Sequence, residues 1–217
     1  MPRQVDHDAR RRTLVEALWR VVRRDGIGEV SVRTVAAEAG TSAGALRHYF
    51  ATQDELLAFA LTSVVERVTG RIGPVEGLRG RDAAVAVLEQ YLPLDDDRRV
   101  ETAVYLAFIG RAPGDPAVQR IRGETDELSL RGVRLAVDLL ADAGELGAGR
   151  DAGDEAERLY ALLDGLAMHG SLMPQRYPPQ RLRDLLAAHL TELRRPAAGS
   201  AGVRSGDGAA GAASPGP

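Results

Sequence analysis

The chain contains no cysteine, no lysine and no asparagine. Without a thiol it can form no disulfide, no thiolate metal site and no cysteine nucleophile. Without lysine it has neither a Schiff-base amine nor the lysine of a phosphate-binding loop. Aromatic residues make up 4% of the 217 positions, so a core must be assembled from Leu, Val and Ala. No apolar run reaches the roughly 20 residues that a bilayer span needs. The opening "MPRQVDHDARRR" has no apolar stretch of the kind a signal peptide carries, so a cytoplasmic location without membrane contact is expected.

Hydrophobic residues form 44% of the sequence, enough for a packed interior. All 28 basic residues are Arg, and the net charge is −3. That figure hides an asymmetry: residues 1–53 hold nine Arg against six acidic residues, and the remainder nineteen against twenty-five. A basic head on an acidic body fits a polyanion-binding module joined to a second unit.

Helical spacing dominates, and no strand pattern is found, so the fold class is all-α. Leu14, Leu18, Val21 and Val22 form the inner stripe of a first helix, which ends after Arg23 and Arg24 at Gly26. Trp19 belongs to the same small core. Ser31 is placed to cap a second helix with Val32, Val35, Ala36 and Ala39 on its inner face. Gly40 supplies a turn, and Thr41 or Ser42 caps a third helix ending near Phe50. Thr52-Gln53-Asp54-Glu55 reads as a capping box that opens a longer helix. "GRIGPVEGLRG" (70–80) is a loop, and further helices are expected near 81–92, 97–111, 116–143, 154–172 and 179–195. Asp95–Asp97 reads as a helix start, and "VETAVYLAFIG" as a buried helix. From Pro196 the Gly/Ala/Ser/Pro tail cannot bury a core and is expected to be disordered.

Two short helices around a glycine turn make a helix-turn-helix. Small inner residues (Ala36, Ala39) let the axes cross closely, and leave Ser42, Ala43, Ala45, Arg47, His48 and Tyr49 on the outer face of the second. Small side chains at Ala43 and Ala45 permit close approach to a major-groove floor and contact with thymine methyls.

The segment "TLVEALWRVVRRDGIGEVSVRTVAAEAGTSAGALRHYFATQDELL" resembles the N-terminal domain of the tetracycline-repressor (TetR) family of bacterial transcription regulators. Residues 10–57 carry that resemblance, with Gly26, Val32, Ala36, Ala39, Gly40, Ser42, Gly44, Leu46, Phe50 and Leu56 in register. The remainder, including "DGLAMHG" and "PQRYPPQRL", resembles more loosely the choline/betaine-responsive repressors. The resemblance implies a ligand-responsive repressor that a small molecule releases from a palindromic DNA operator. It divides the chain into a DNA-binding domain (1–53), a helical ligand-binding and dimerisation domain (54–195) and a tail (196–217). Carried over by position, DNA contacts fall on Arg33, Thr34, Ser42, Ala43, Ala45, Arg47, Tyr49 and Gln53. Arg33 would grip a guanine edge, while Arg47 and Tyr49 would hold phosphates. Many members carry Tyr in place of Arg47 and Lys in place of Gln53. Arg10–Arg12 either reach the DNA backbone or simply begin a solvated helix.

The helix around 154–172 is apolar on two faces: Ala156, Leu159, Leu163, Leu166 and Gly170 on one, Leu162, Gly165, His169 and Leu172 on the other. Asp164 is its only charge after Arg158. With Leu182, Leu185, Leu186, Leu190 and Leu193 in the next helix, this predicts a homodimer through the last two helices, as the family resemblance also implies, the alternative being that both faces serve one large core. The resemblance implies an effector cavity inside the helices between residues 81 and 172, for which Tyr91, Tyr105, Phe108, Met168, His169 and Met173 are candidate lining groups. No metal or cofactor is expected, since His169 and His189 lack carboxylate neighbours at ligand spacing. "GELGAG" (144–149) follows no strand and makes no dinucleotide site. Two alternatives stand beside the repressor: an all-α enzyme using His169, Asp164 and Tyr160 as acid and base, and a dimeric helical adaptor that binds no DNA.

Overall fold

A computed structural model describes residues 2–73, 78–110 and 116–197, with the side chains of 2–8 and 117–118 set aside. Part of the expected 70–80 loop (74–77) and most of the expected disordered tail (198–217) lie outside the described residues. Among those described there are nine α-helices and no strand, so the chain is all-α.

The helices are α1 (Pro2–Asp25), α2 (Val32–Glu38), α3 (Ala43–Arg47), α4 (Gln53–Ile72), α5 (Gly80–Leu88), α6 (Asp96–Ile109), α7 (Pro116–Asp142), α8 (Ala152–Leu172) and α9 (Pro179–Glu192). Their starts are written in local chemistry. Thr52 accepts the Glu55 amide at 3.1 Å, Asp95 the Arg98 amide at 2.8 Å and Asp151 the Asp154 amide at 2.9 Å. Each satisfies a donor that the helix itself cannot. Asp95–Asp97 therefore serve as a helix start, and no metal-ligand cluster occurs among the described residues. Pro179 opens α9 at the position where a missing N–H costs nothing.

Two apolar cores result. The first joins α1 (Leu14, Leu18, Val21), α2 (Val35, Ala36), Leu46, Phe50 and the first half of α4. Trp19 is buried within it. This core does not stop at residue 53: Val100, Val104 and Phe108 of α6 complete it. The second is built from α5, α7, α8 and α9, with Leu88, Val137, Leu140, Leu159, Leu163, Leu182 and Leu190 fully covered. Gly170 lies where α8 meets α9, and a Cβ there would fall 2.8 Å from Leu182 and Pro93. Helix α4 runs from the first core toward the second, and α6 contacts both α4 and α8. Those two helices frame the site described next.

Candidate functional site

The helix-turn-helix is held by a dense set of local bonds. At the start of α2, Thr34 N–H donates to Ser31 Oγ at 3.1 Å while Ser31 N–H donates to Thr34 Oγ1 at 2.9 Å. The end of α2 is closed by Gly40 at φ 65°, with Thr41 N–H donating to Ala36 at 2.9 Å and Gly40 N–H to Ala37 at 3.1 Å. That pair of bonds is a Schellman closure, which favours glycine at its left-handed position. Ser42 Oγ then accepts the Ala45 amide at 3.0 Å and starts α3. From α1, Arg20 and Arg24 each hold one oxygen of Glu38 at 2.7 Å, fixing the end of α2 against its neighbour. Leu46 and Phe50 anchor α3 into the first core.

Regular helix in α3 ends at Arg47, earlier than Phe50 as expected. Its last turn loosens into mixed bonds, with His48 and Tyr49 reaching back three residues and Phe50 four. The outward face presents Arg33, Ser42, Arg47 and His48 exposed, with Ala43, Ala45 and Tyr49 half-buried at its edge. Thr34 is turned inward: its hydroxyl donates to the Glu29 carbonyl at 2.7 Å as part of the α2 cap. Gln53 also differs from expectation, because its amide donates to the Val30 carbonyl at 2.6 Å. That bond ties the start of α4 to the chain entering α2, so Gln53 faces the protein rather than a phosphate. Arg11 is likewise engaged, its guanidinium 4.9 Å from the Phe50 ring and 4.8 Å from that of Phe59.

The second part of the site is a cavity enclosed by α4, α6, α7 and α8, with some 730 Å³ of empty space counted out to its open mouth. Leu61, Val64, Val65 and Val68 of α4 form an aliphatic wall. Opposite stand Tyr105, Tyr160, Asp164, Thr125 and Ser129, and Tyr91 closes one end. The Tyr105 hydroxyl donates to Asp164 Oδ1 at 3.3 Å, and that of Tyr160 to Asp126 Oδ1 at 3.4 Å. Burial pushes the Asp164 carboxyl above the usual aspartate value, and pushes Tyr91 and Tyr160 up to about 12. Arg71 grips the buried Glu101 carboxylate with both guanidinium nitrogens at 3.0 and 2.6 Å, and its Nε donates to Gln90 at 2.9 Å. A Cβ on Gly132 of α7 would fall 2.0 Å from the Tyr91 hydroxyl, so any larger residue there must displace that ring.

Of the six residues expected to line a cavity, Tyr91 and Tyr105 do so and four do not. Phe108 faces the other side of α6 and is buried in the first core. His169 stacks on Tyr177 with ring centroids 5.1 Å apart, and Met168 and Met173 are exposed on the outside of α8 and just past its end. Sequence reasoning missed Asp164 and Tyr160 as lining residues, although a single acid in the apolar stretch after Arg158 was the available signal. Nothing in the sequence pointed to the Arg71–Glu101 pair.

Two family profiles match the chain. Residues 14–59 fit the bacterial regulatory proteins of the tetR family, and residues 80–195 fit the C-terminal part of the BetI-type transcriptional repressors. The chain belongs to the TetR family. Its relatives include the HTH-type transcriptional regulator PksA of Bacillus subtilis (strain 168), 38% identical over 199 residues that cover 89% of this chain and 94% of PksA. BetI 2 of Chromohalobacter salexigens is 27% identical over 197 residues, 89% of this chain and 92% of that one. A transcriptional regulator from Rhodococcus sp. Rha1 superposes with a TM-score of 0.72 at 34% identity, over 84% of this chain and 95% of its own. One from Saccharomonospora viridis, solved in complex with choline, has the same fold at 23% identity, with a TM-score of 0.74 over 84% and 96% of the two chains. As a TetR-family member the protein is a ligand-responsive, DNA-binding transcriptional regulator, and its relatives bear the names of regulators rather than catalysts. Regulators of this family bind operator DNA and small-molecule effectors and act as dimers. No helix among the described residues is long and apolar enough to cross a membrane.

Proposed function

We propose that this TetR-family protein is a repressor that grips a palindromic operator as a twofold dimer and lets go when a small molecule fills the cavity. Residues 1–53 act as the reading unit, and 54–195 bind effector and partner. The observation that carries this reading is the two-sided use of α6. Arg98, Glu101, Thr102 and Tyr105 face the cavity, while Val100, Val104 and Phe108 face the core behind α3. Asp97 of the same helix pairs with Arg23 of α1. An effector that prefers a shifted α6 therefore acts directly on the packing behind the reading helix. It must bind the two states unequally, since equal affinity shifts nothing. The S. viridis regulator, which has the same fold, was crystallised in complex with choline, so a protein of this fold can take up a small molecule.

In this reading Arg33 and Arg47 contact DNA directly, Ser42, Ala43, Ala45, His48 and Tyr49 lie against the groove, and Thr34 and Gln53 hold the unit in shape. The partner docks on the outer side of α8 and α9, where Gly165, Met168, Leu172 and Leu185 are left exposed or half-buried by the protomer's own core. Two reading helices about 34–36 Å apart would enter successive major grooves. The rival acid–base set is not assembled: Asp164 and Tyr160 share the cavity wall, whereas His169 stacks on Tyr177 away from it. The test is a mobility-shift titration across salt concentrations. Arg47→Ala should weaken operator binding and lower the salt slope by about one. Unchanged affinity and slope would remove α3 from the interface.

A further inference from the structure

Every charged group on the cavity wall has a charged partner except one. Glu101 is answered by Arg71, and Arg98 by Asp95 at 2.9 Å together with the Glu89 carbonyl at 2.8 Å. Asp164 has no ion-pair partner among the described residues; its bond is the one from Tyr105, at 3.3 Å. Beside it the Tyr160–Asp126 contact is just as long, at 3.4 Å. Ordinary O–H···O bonds lie near 2.7–2.8 Å, so neither tyrosine hydroxyl makes a close bond to its carboxylate. The charge of Arg122 reaches Asp164 as well, but its ion pair, at 3.8 Å, is with Asp126. A half-buried carboxylate with no cation beside it, facing a wall of Leu61, Val64, Val65 and Val68, lacks a positive donor carried on an aliphatic body.

We infer that the cavity selects an aliphatic ammonium bearing N–H donors, seated with its nitrogen at Asp164 and Tyr105 and its chain along the α4 valines. This rests on the effector reading given above and specifies the chemistry of that seat. An N–H cation brings opposite charge and donors together, and makes charge-assisted bonds of about 2.7–2.9 Å to a carboxylate. A quaternary ammonium brings charge but no donor. An alcohol brings a donor but no charge, and a carboxylate meets Asp164 with like charge.

Four six-carbon probes that differ only in the head group separate these cases: hexylamine, hexyltrimethylammonium, hexanol and hexanoate. Each is titrated calorimetrically into the full-length protein at neutral pH, and then added to the protein–operator complex. Hexylamine should bind at least tenfold more tightly than the other three. Asp164→Asn should reduce that advantage over hexanol to less than threefold. The inference is overturned if any of the other three probes equals hexylamine, if hexylamine gives no binding heat, or if Asp164→Asn binds it as wild type does. The comparison among probes on the wild-type protein decides the matter even where the variant folds poorly. Selective hexylamine binding that releases no operator supports the ammonium seat and overturns the effector reading, so the two fail separately.

Discussion

Asp164 is a side chain whose burial works against the stability of the fold. Burial lifts its folded-state titration above the ordinary value of 3.8, so the folded protein holds that proton more tightly than the unfolded chain. The ionised group therefore weakens the fold at neutral pH, and this cost vanishes as the pH falls below the unfolded-chain value. Asp164→Asn, which keeps an acceptor for Tyr105, should melt at or above the wild-type temperature at pH 7, with the gap closing toward pH 4. Thermal scans across that range check it, and a variant less stable than wild type at pH 7 would contradict the assigned cost. The residue was legible in part, as the only charge in the apolar stretch of α8 that follows Arg158. Which arc of that helix faces a cavity was not legible, because an apolar surface looks the same whether it meets a core, a hollow or a partner chain. Met168 and Met173 were misplaced for this reason.

At the level of elements, the starts and stops could be read directly, because Ser31, Gly40, Thr52 and Asp95 each act on amides within a few residues. The face of α6 was harder. "VETAVYLAFIG" is apolar nearly all round, and Tyr105 and Phe108 lie three positions apart on adjoining arcs of the helix. One lines the cavity and the other is 2% exposed in the first core. The assignment has a measurable consequence. Phe108→Ala should cost about 3–5 kcal/mol, and the milder Phe108→Leu should lower the melting temperature while leaving the ratio of hexylamine to hexanol affinity at the wild-type value, since a shifted equilibrium scales both alike. A changed ratio in Phe108→Leu, measured calorimetrically, would return this side chain to the cavity wall.

For the whole molecule, the open question is what covers the outer side of the last two helices. Leu172 is 69% exposed and Met168 39%, and both continue the arc begun by Gly165. A charge there meets water in an isolated protomer but an apolar surface in a twofold pair, where an unpaired buried charge costs several kcal/mol. Leu172→Glu should leave the helical content and melting cooperativity of the protomer intact while shifting sedimentation at micromolar concentration from dimer toward monomer. Operator affinity should fall with it, since each half of a palindrome is then bound alone. A dimer that survives Leu172→Glu would place the twofold axis elsewhere. The two-faced pattern of α8 was visible in the sequence, but the second copy that would bury its outer face was not.

Because α6 meets the reading unit through one row of residues and the hollow through another, three or four positions apart, the two rows can change independently. Descendants of this gene could acquire a taste for new chemical signals by altering Arg98, Thr102 or Tyr105 while keeping the same grip on their promoter. The reverse is also open: retuning the row of Val100 and Val104 would reset how strongly a given signal is felt without changing which molecule carries it.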